Sequence, residues 1–141
     1  MKYSLVIASV FLWIGFVCAI SFLEAWLKFR APGITVPLGL GIGRLVFFAL
    51  NKIEWVFALV IFVNLLYTQN WTLQGNQLLL LLPLVILIIQ TVWLLPALDA
   101  RADLHIQGAE IPPSYLHLYY VVGELIKVTA LILFGTKLLK S

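Results

Sequence analysis

The sequence predicts an all-α integral membrane protein, an antiparallel four-transmembrane-helix bundle with short loops. Of its 141 residues, 63% are hydrophobic and 11% are charged, whereas about a quarter of the residues in a soluble domain are charged. The mean hydropathy is +1.08. The length allows about four spans of roughly 20 residues each and leaves no room for a separate soluble domain. Residues 1–141 are therefore expected to form a single membrane domain.

The four predicted helices are separated by loops rich in proline, glycine or polar residues. We interpret the first helix as an uncleaved span, because its apolar stretch is longer than the core of a typical signal peptide. Two prolines place an irregular loop at 31–38, an uncharged polar loop follows at 68–77, and the most polar loop covers 99–115. Pro83 lies within the third helix, and Pro96 marks its predicted exit. The predicted helices are residues 3–29, 43–67, 78–98 and 114–139.

The second helix carries polar side chains into an otherwise apolar chain. Arg44 and Asn51 are two turns apart and lie within roughly 20° of one helix face, with Glu54 about 60° further round. A charge that faces lipid costs on the order of 2.5 to 3.5 kcal/mol even on lenient insertion scales. We therefore expect this stripe to face the bundle interior.

The fourth helix repeats the pattern with His117, Tyr120, Glu124 and Lys127. Their spacing places them within roughly 80° of arc on a regular helix. Glu124 would lie about 15 Å inside the helix, which is deep for a group that needs only water. Arg44 and Lys127 are its expected partners.

Folding four antiparallel spans brings most polar groups to one membrane side and leaves the other half almost pure hydrocarbon. Intramembrane ionisable groups usually face a bundle interior or a watery cavity and pair with one another. The sequence therefore predicts a polar pocket that opens to one side, with these candidate ligand-binding residues: Glu24, Arg44, Asn51, Glu54, Gln90, His117, Tyr120, Glu124 and Lys127.

A purely structural interpretation of the same charges stands beside this one. Glu24 with Lys28 and Glu124 with Lys127 have the spacing of local helical ion pairs. Lysine and arginine side chains near helix ends also extend to headgroups without further function. The three glycines at 39, 41 and 43 would either bind an anion through backbone N–H groups or permit close helix packing, and packing is favoured.

Defined cofactor chemistry has weak support. The only histidines are His105 and His117, in a loop and at a helix mouth, so one chain offers no bis-histidine haem site through the bilayer centre. Cys18 is the single cysteine, which excludes an intrachain disulfide or zinc cluster. Loop acids near His105 could supply oxygen ligands, but their spacing matches no defined metal site. The cofactor is unknown, no metal ligand is assigned, and no catalytic residue or enzymatic activity can be singled out.

Three functions remain open. The first is binding of a lipid, quinone or other small amphiphile in the one-sided pocket. The second is an accessory subunit that pairs with other membrane subunits, and the third is a homo-oligomeric channel or transporter. Membrane lipids are expected partners and nucleic acid is not. The outline is similar to that of small four-helix bacterial membrane proteins, which favours a bacterial inner membrane, and the charge count weakly favours both termini on the non-cytoplasmic side.

Overall fold

A computed structural model of the chain describes residues 3–67 and 76–140. Over these ranges the chain is helical, and no strand occurs in them. Four long helices are apolar enough, by length and composition, to cross a membrane. The predicted polar loop at 68–77 falls, up to residue 75, outside the described residues. The four helices are α1 (Ser4–Arg30), α2 (Val36–Tyr67), α3 (Asn76 to Ile106) and α4 (Leu116–Leu139).

Two of these helices contain wider, π-helical segments. In α1 this segment is Cys18–Glu24, and in α3 it is Gln90–Leu94. Such segments place an extra residue in a turn and occur frequently at functional sites. Each of the two contains a side chain that points into the bundle interior, as described below.

Helix α2 begins at Val36 instead of Gly43, so the predicted loop at 31–38 is shorter than expected. The Thr35 hydroxyl accepts a hydrogen bond from the Leu38 N–H at 3.2 Å, which is the arrangement of an N-terminal cap. Pro37 lies in the first turn, where its missing N–H costs little. These two residues explain the early start.

Helix α3 continues past the predicted exit at Leu98 and ends at Ile106. Pro96 is accommodated because it lies in the first turn of the α-helical run that follows the π-helical segment. Gly108 follows the C-terminal cap Gln107, and its φ of 83° is favourable for glycine. Much of the predicted loop at 99–115 is therefore helix.

The four helices pack as a ring. Helix α1 contacts α2 and α4, and α3 contacts the same two helices. Glycines permit close approach between α1 and its neighbours. A Cβ atom at Gly39 would overlap the Phe29 ring, and one at Gly135 would lie 2.9 Å from a ring carbon of Phe11. Gly39 thus lies inside α2 and serves packing, as favoured above, whereas a Cβ at Gly41 would meet only Ile106, at 4.0 Å.

One half of the bundle interior is mainly apolar, with Ser9 as a buried polar exception. It joins the beginning of α1, the end of α2, the beginning of α3 and the end of α4, and its largest buried members include Trp13, Ile61, Leu87 and Phe134. The outer surface is mainly apolar as well, with Leu45 72% and Val92 70% exposed. A soluble monomer rarely exposes apolar patches larger than a few hundred Å².

Candidate functional site: a buried charge network and a neighbouring cavity

The Lys127 ammonium group lies at the centre of a buried network. Its Nζ contacts Glu54 Oε1 at 2.5 Å, Glu124 Oε1 at 2.6 Å and Gln90 Oε1 at 2.6 Å. All four residues are 0% exposed. Removing one partner of a buried ion pair costs about 3–5 kcal/mol, because the other charge is then left uncompensated. The network therefore fixes α2, α3 and α4 against one another.

Three further hydrogen bonds complete the network and bring in α1. The Gln90 amide donates to Glu124 Oε1 at 2.8 Å, and the Ser21 hydroxyl donates to Glu124 Oε2 at 2.6 Å. The Trp13 indole N–H donates to Glu54 Oε1 at 2.9 Å. Ser21 and Gln90 both lie in the π-helical segments. All four helices thus contribute a side chain to the network.

A few buried polar atoms have no hydrogen-bond partner among the described residues. They are the Oε2 atoms of Glu24 and Glu54 and the Tyr120 hydroxyl. Glu54 is fully buried and Tyr120 is only 3% exposed. An unpaired polar group in an apolar interior costs roughly 1–3 kcal/mol, so such atoms mark positions where a further group can bind.

Arg44 forms a second, more exposed ionic cluster between α2 and α3. Its guanidinium donates to both Asp99 oxygens, at 2.7 and 3.1 Å, and to Asp103 Oδ1 at 3.2 Å. The side chains are 28%, 27% and 50% exposed, respectively. Arg44 therefore pairs with these acids and not with Glu124 as expected, and its positive charge is more than compensated by two partly exposed carboxylates.

Asn51 belongs to a third polar contact. Its amide donates to the Thr91 hydroxyl at 3.0 Å, and the Trp55 indole donates to the same oxygen at 3.0 Å. The Thr91 hydroxyl in turn donates to the backbone carbonyl of Leu87. This contact joins α2 to α3 and has no hydrogen bond to the Lys127 network among those described.

A cavity of about 170 Å³ lies beside the Arg44 cluster. For comparison, an apolar cavity of about 150 Å³ binds benzene, so this space suits a ring or a small headgroup. Its walls are mainly apolar, and five polar side chains border it. The apolar members include Phe29, Phe47, Phe48, Leu95 and Leu98, and the polar members are Lys28, Arg44, Asp99, His117 and Tyr120.

Two contacts shape the polar side of the cavity. The Phe47 and Tyr120 rings meet edge to face, with their centroids 5.5 Å apart. The Lys28 ammonium lies 5.9 Å from the Phe47 ring centroid and 3.5 Å from Glu24 Oε1. Because the Glu24 contact is long, Lys28 keeps hydrogen-bonding capacity for a ligand.

The nine predicted site residues divide among these features. Glu54, Gln90, Glu124 and Lys127 form the buried network, while Arg44, His117 and Tyr120 border the cavity. Asn51 lies in the Thr91 contact, and Glu24 forms the local pair with Lys28. The local Glu124–Lys127 pair also forms, but as part of the larger network.

The sequence interpretation missed several contributors. Trp13 and Ser21 lie in the apolar first helix, where one indole and one hydroxyl do not stand out from core residues. Asp103 falls in the predicted loop at 99–115, but it is helical in the structure. It contacts Arg44 because α3 extends further than predicted. The i, i+4 spacing of Asp99 and Asp103 on a helix is the signal that could have identified them as partners of one cation.

No group of three or more His, Cys, Asp or Glu side chains in the described ranges is arranged to hold a metal ion. Asp99 and Asp103, two of the acids in the predicted loop at 99–115, are engaged by Arg44. No protein-family model, curated protein or solved structure matches this chain. Its interpretation therefore rests on the geometry of the network and the cavity.

Proposed function

We propose that this chain is an integral membrane protein whose four antiparallel helices bind a small amphiphile with its polar head in the Arg44 cavity. The cavity carries the proposal, because it combines aromatic and aliphatic walls with a few convergent polar groups. Small-molecule sites have this composition and occur between the helices of bundles.

The distribution of polarity supports membrane insertion. The outward faces of the four helices are mainly apolar, although Lys52 is exposed on α2, while Glu54, Gln90, Glu124 and Lys127 are fully buried. Charged groups inside membrane proteins face the bundle interior and pair with one another. A bacterial inner membrane with both termini outside the cytoplasm is the proposed location, and reporter domains fused to the C-terminus would test this orientation.

Contacts along the helices support an antiparallel arrangement. Phe29 near the end of α1 meets Gly39 near the start of α2, and Trp13 earlier in α1 meets Glu54 later in α2. The cavity is lined by the end of α1, the start of α2, the end of α3 and the start of α4. In an antiparallel bundle these four segments lie at one membrane side.

The polar groups that border the cavity favour a ligand whose polar head accepts hydrogen bonds. Lys28, His117 and Tyr120 can donate hydrogen bonds into the cavity, since the Tyr120 hydroxyl has no partner among the described residues and Lys28 has only its long contact with Glu24. The charge of Arg44 is compensated by Asp99 and Asp103, and Asp99 also borders the cavity. A quinone carbonyl and a lipid headgroup oxygen share this acceptor chemistry, and the aromatic walls suit either.

Native mass spectrometry of the protein purified in mild detergent tests the proposal. Ala102 lines the cavity, so Ala102→Leu fills space that the ligand would occupy. Ala49 is exposed on α2 and does not line the cavity, so Ala49→Leu is the matched control. We expect wild type and Ala49→Leu to retain a small molecule that Ala102→Leu loses.

The mass of the retained molecule distinguishes a quinone from a lipid. A wild-type monomer without any bound molecule, or one whose bound molecules are unchanged by Ala102→Leu, would contradict the proposal. That result would favour the accessory-subunit function instead.

A further inference from the structure

The buried network contains unequal numbers of acidic and basic groups. It has two carboxyl groups, those of Glu54 and Glu124, and one ammonium group, that of Lys127. All three side chains are 0% exposed. With every group ionised the network would keep one uncompensated negative charge in an apolar interior, which is strongly unfavourable.

The hydrogen bonds show where this imbalance falls. Lys127 uses its three N–H donors on Glu54, Glu124 and Gln90. Glu124 is satisfied at both oxygens, because Lys127 and Gln90 contact Oε1 and Ser21 contacts Oε2. Glu54 is satisfied only at Oε1, by Trp13 and Lys127. Its Oε2 has no donor in the described part of the chain.

We infer that the network is a proton-binding site that holds one exchangeable proton on Glu54 Oε2. The proton converts the Glu54 carboxylate to a carboxylic acid and leaves Glu124 as the single counterion of Lys127. This one proton removes the charge imbalance, and it leaves Oε2 in a neutral carboxylic acid, which costs less to bury than a carboxylate. The inference concerns the network and does not depend on what binds in the cavity.

Among the described residues, the titratable groups that act on Glu54 come from α4. Lys127 contacts it directly, and Glu124 acts on it electrostatically. Tyr120 interacts electrostatically with the carboxyl groups of Glu54 and Glu124, and it also lines the cavity. Helices α1 and α3 add neutral groups to the network, the Trp13 indole, the Ser21 hydroxyl and the Gln90 amide. The thiol of Cys18 in α1 lies near Glu124.

Glu24 provides an internal control. Its Oε2 also lacks a partner among the described residues, but Glu24 forms a one-to-one pair with Lys28 and its side chain is 33% exposed. Charge balance therefore requires no proton on Glu24. Each of the two glutamates has one oxygen without a partner among the described residues, but only Glu54 lies in a network with more carboxyl groups than ammonium groups.

Infrared spectroscopy at neutral pH tests the inference, with the protein in a maltoside detergent that has no carbonyl group. We expect wild type to show the C=O stretch of a protonated carboxyl group, shifted to lower frequency in deuterium oxide. Glu54→Gln should abolish the band. Glu124→Gln should abolish it too, because Glu54 then becomes the only counterion of Lys127. Glu24→Gln should leave it unchanged.

These outcomes distinguish a proton-binding network from a purely structural ion pair. Absence of the band in wild type would overturn the inference, as would its persistence in Glu54→Gln or its loss in Glu24→Gln. Glu54→Gln preserves side-chain size and neutrality, so it is expected to fold. The comparison with wild type therefore decides whether the network holds a proton, even if Glu124→Gln does not fold.

Discussion

At the scale of single residues, Tyr120 and Lys127 show how α4 combines two environments on one face. Lys127 is fully paired in the buried network, whereas the Tyr120 hydroxyl lines the cavity without a hydrogen-bond partner among the described residues. An unpaired buried hydroxyl lowers stability unless another group binds it. The unpaired Tyr120 hydroxyl therefore lowers the stability of the ligand-free protein, and a ligand with an acceptor atom would offset this loss.

Replacing Tyr120 by Phe separates ligand binding from stability. The unfolding midpoint of the ligand-free protein should stay unchanged or rise, because no described hydrogen bond is lost. Occupancy of the cavity should fall by about 2- to 10-fold, the value of one hydrogen bond of about 0.5–1.5 kcal/mol. Thermal unfolding and native mass spectrometry measure the two effects.

Tyr119→Phe is the control for this change. Tyr119 is 49% exposed and packs against Trp93 outside the cavity. Equal effects of the two substitutions on occupancy would show that the Tyr120 hydroxyl does not contact the ligand.

The sequence carried much of the residue-level information for α4 and less for the other helices. The spacing of Tyr120, Glu124 and Lys127 is sufficient to place them on one face, and the structure buries all three. The i, i+4 spacing of Asp99 and Asp103 indicates partners of one cation only if α3 extends past Leu98, and the sequence predicts a loop there. Trp13 and Ser21 could not be recognised as network members, since nothing in an apolar stretch distinguishes a donor from a core residue.

At the scale of helices, the glycines of α2 differ in what surrounds them. Gly39 is buried against the Phe29 ring of α1, while a Cβ at Gly41 would meet only Ile106, at 4.0 Å. Alanine is favoured over glycine in a helix interior by about 1 kcal/mol. Packing therefore opposes the helical preference at Gly39, and nothing opposes it at Gly41.

Alanine substitutions at these two positions should have opposite effects. Gly39→Ala is expected to lower the thermal unfolding midpoint, since overpacking costs about 1–3 kcal/mol. Gly41→Ala should leave it unchanged or raise it. Phe29→Leu combined with Gly39→Ala should recover part of the loss. A Gly39→Ala protein as stable as Gly41→Ala would show that α1 and α2 are not in close contact here.

Helix boundaries were predictable only in part, for local reasons. The apolar cores of all four helices are evident from hydropathy. The start of α2 depends on the Thr35 cap and on Pro37 in the first turn, and the extension of α3 depends on the π-helical segment before Pro96. Proline and glycine often mark helix ends. Here a cap precedes Pro37 and a wider turn precedes Pro96, so the helices continue through both prolines.

At the scale of the whole molecule, the bundle divides into an apolar half and a half that holds the network, the Arg44 cluster and the cavity. This division follows from the order of polar residues along the chain. The order of helices around the ring does not, because hydropathy does not fix which helices are neighbours. The cavity depends on that order and on helix rotation, so it could not be predicted in detail.

The proposed function requires that the cavity holds a small amphiphile and not another polypeptide. Photo-cross-linking in intact membranes can identify the occupant. A photoreactive benzoyl amino acid is placed at Phe48, which borders the cavity and is 41% exposed. Leu59, 62% exposed on the same helix and away from the cavity, is the control position. We predict one defined small-molecule adduct at position 48 that is absent at position 59. A polypeptide adduct at position 48, or the same mixture of bulk lipids at both positions, would contradict the claim.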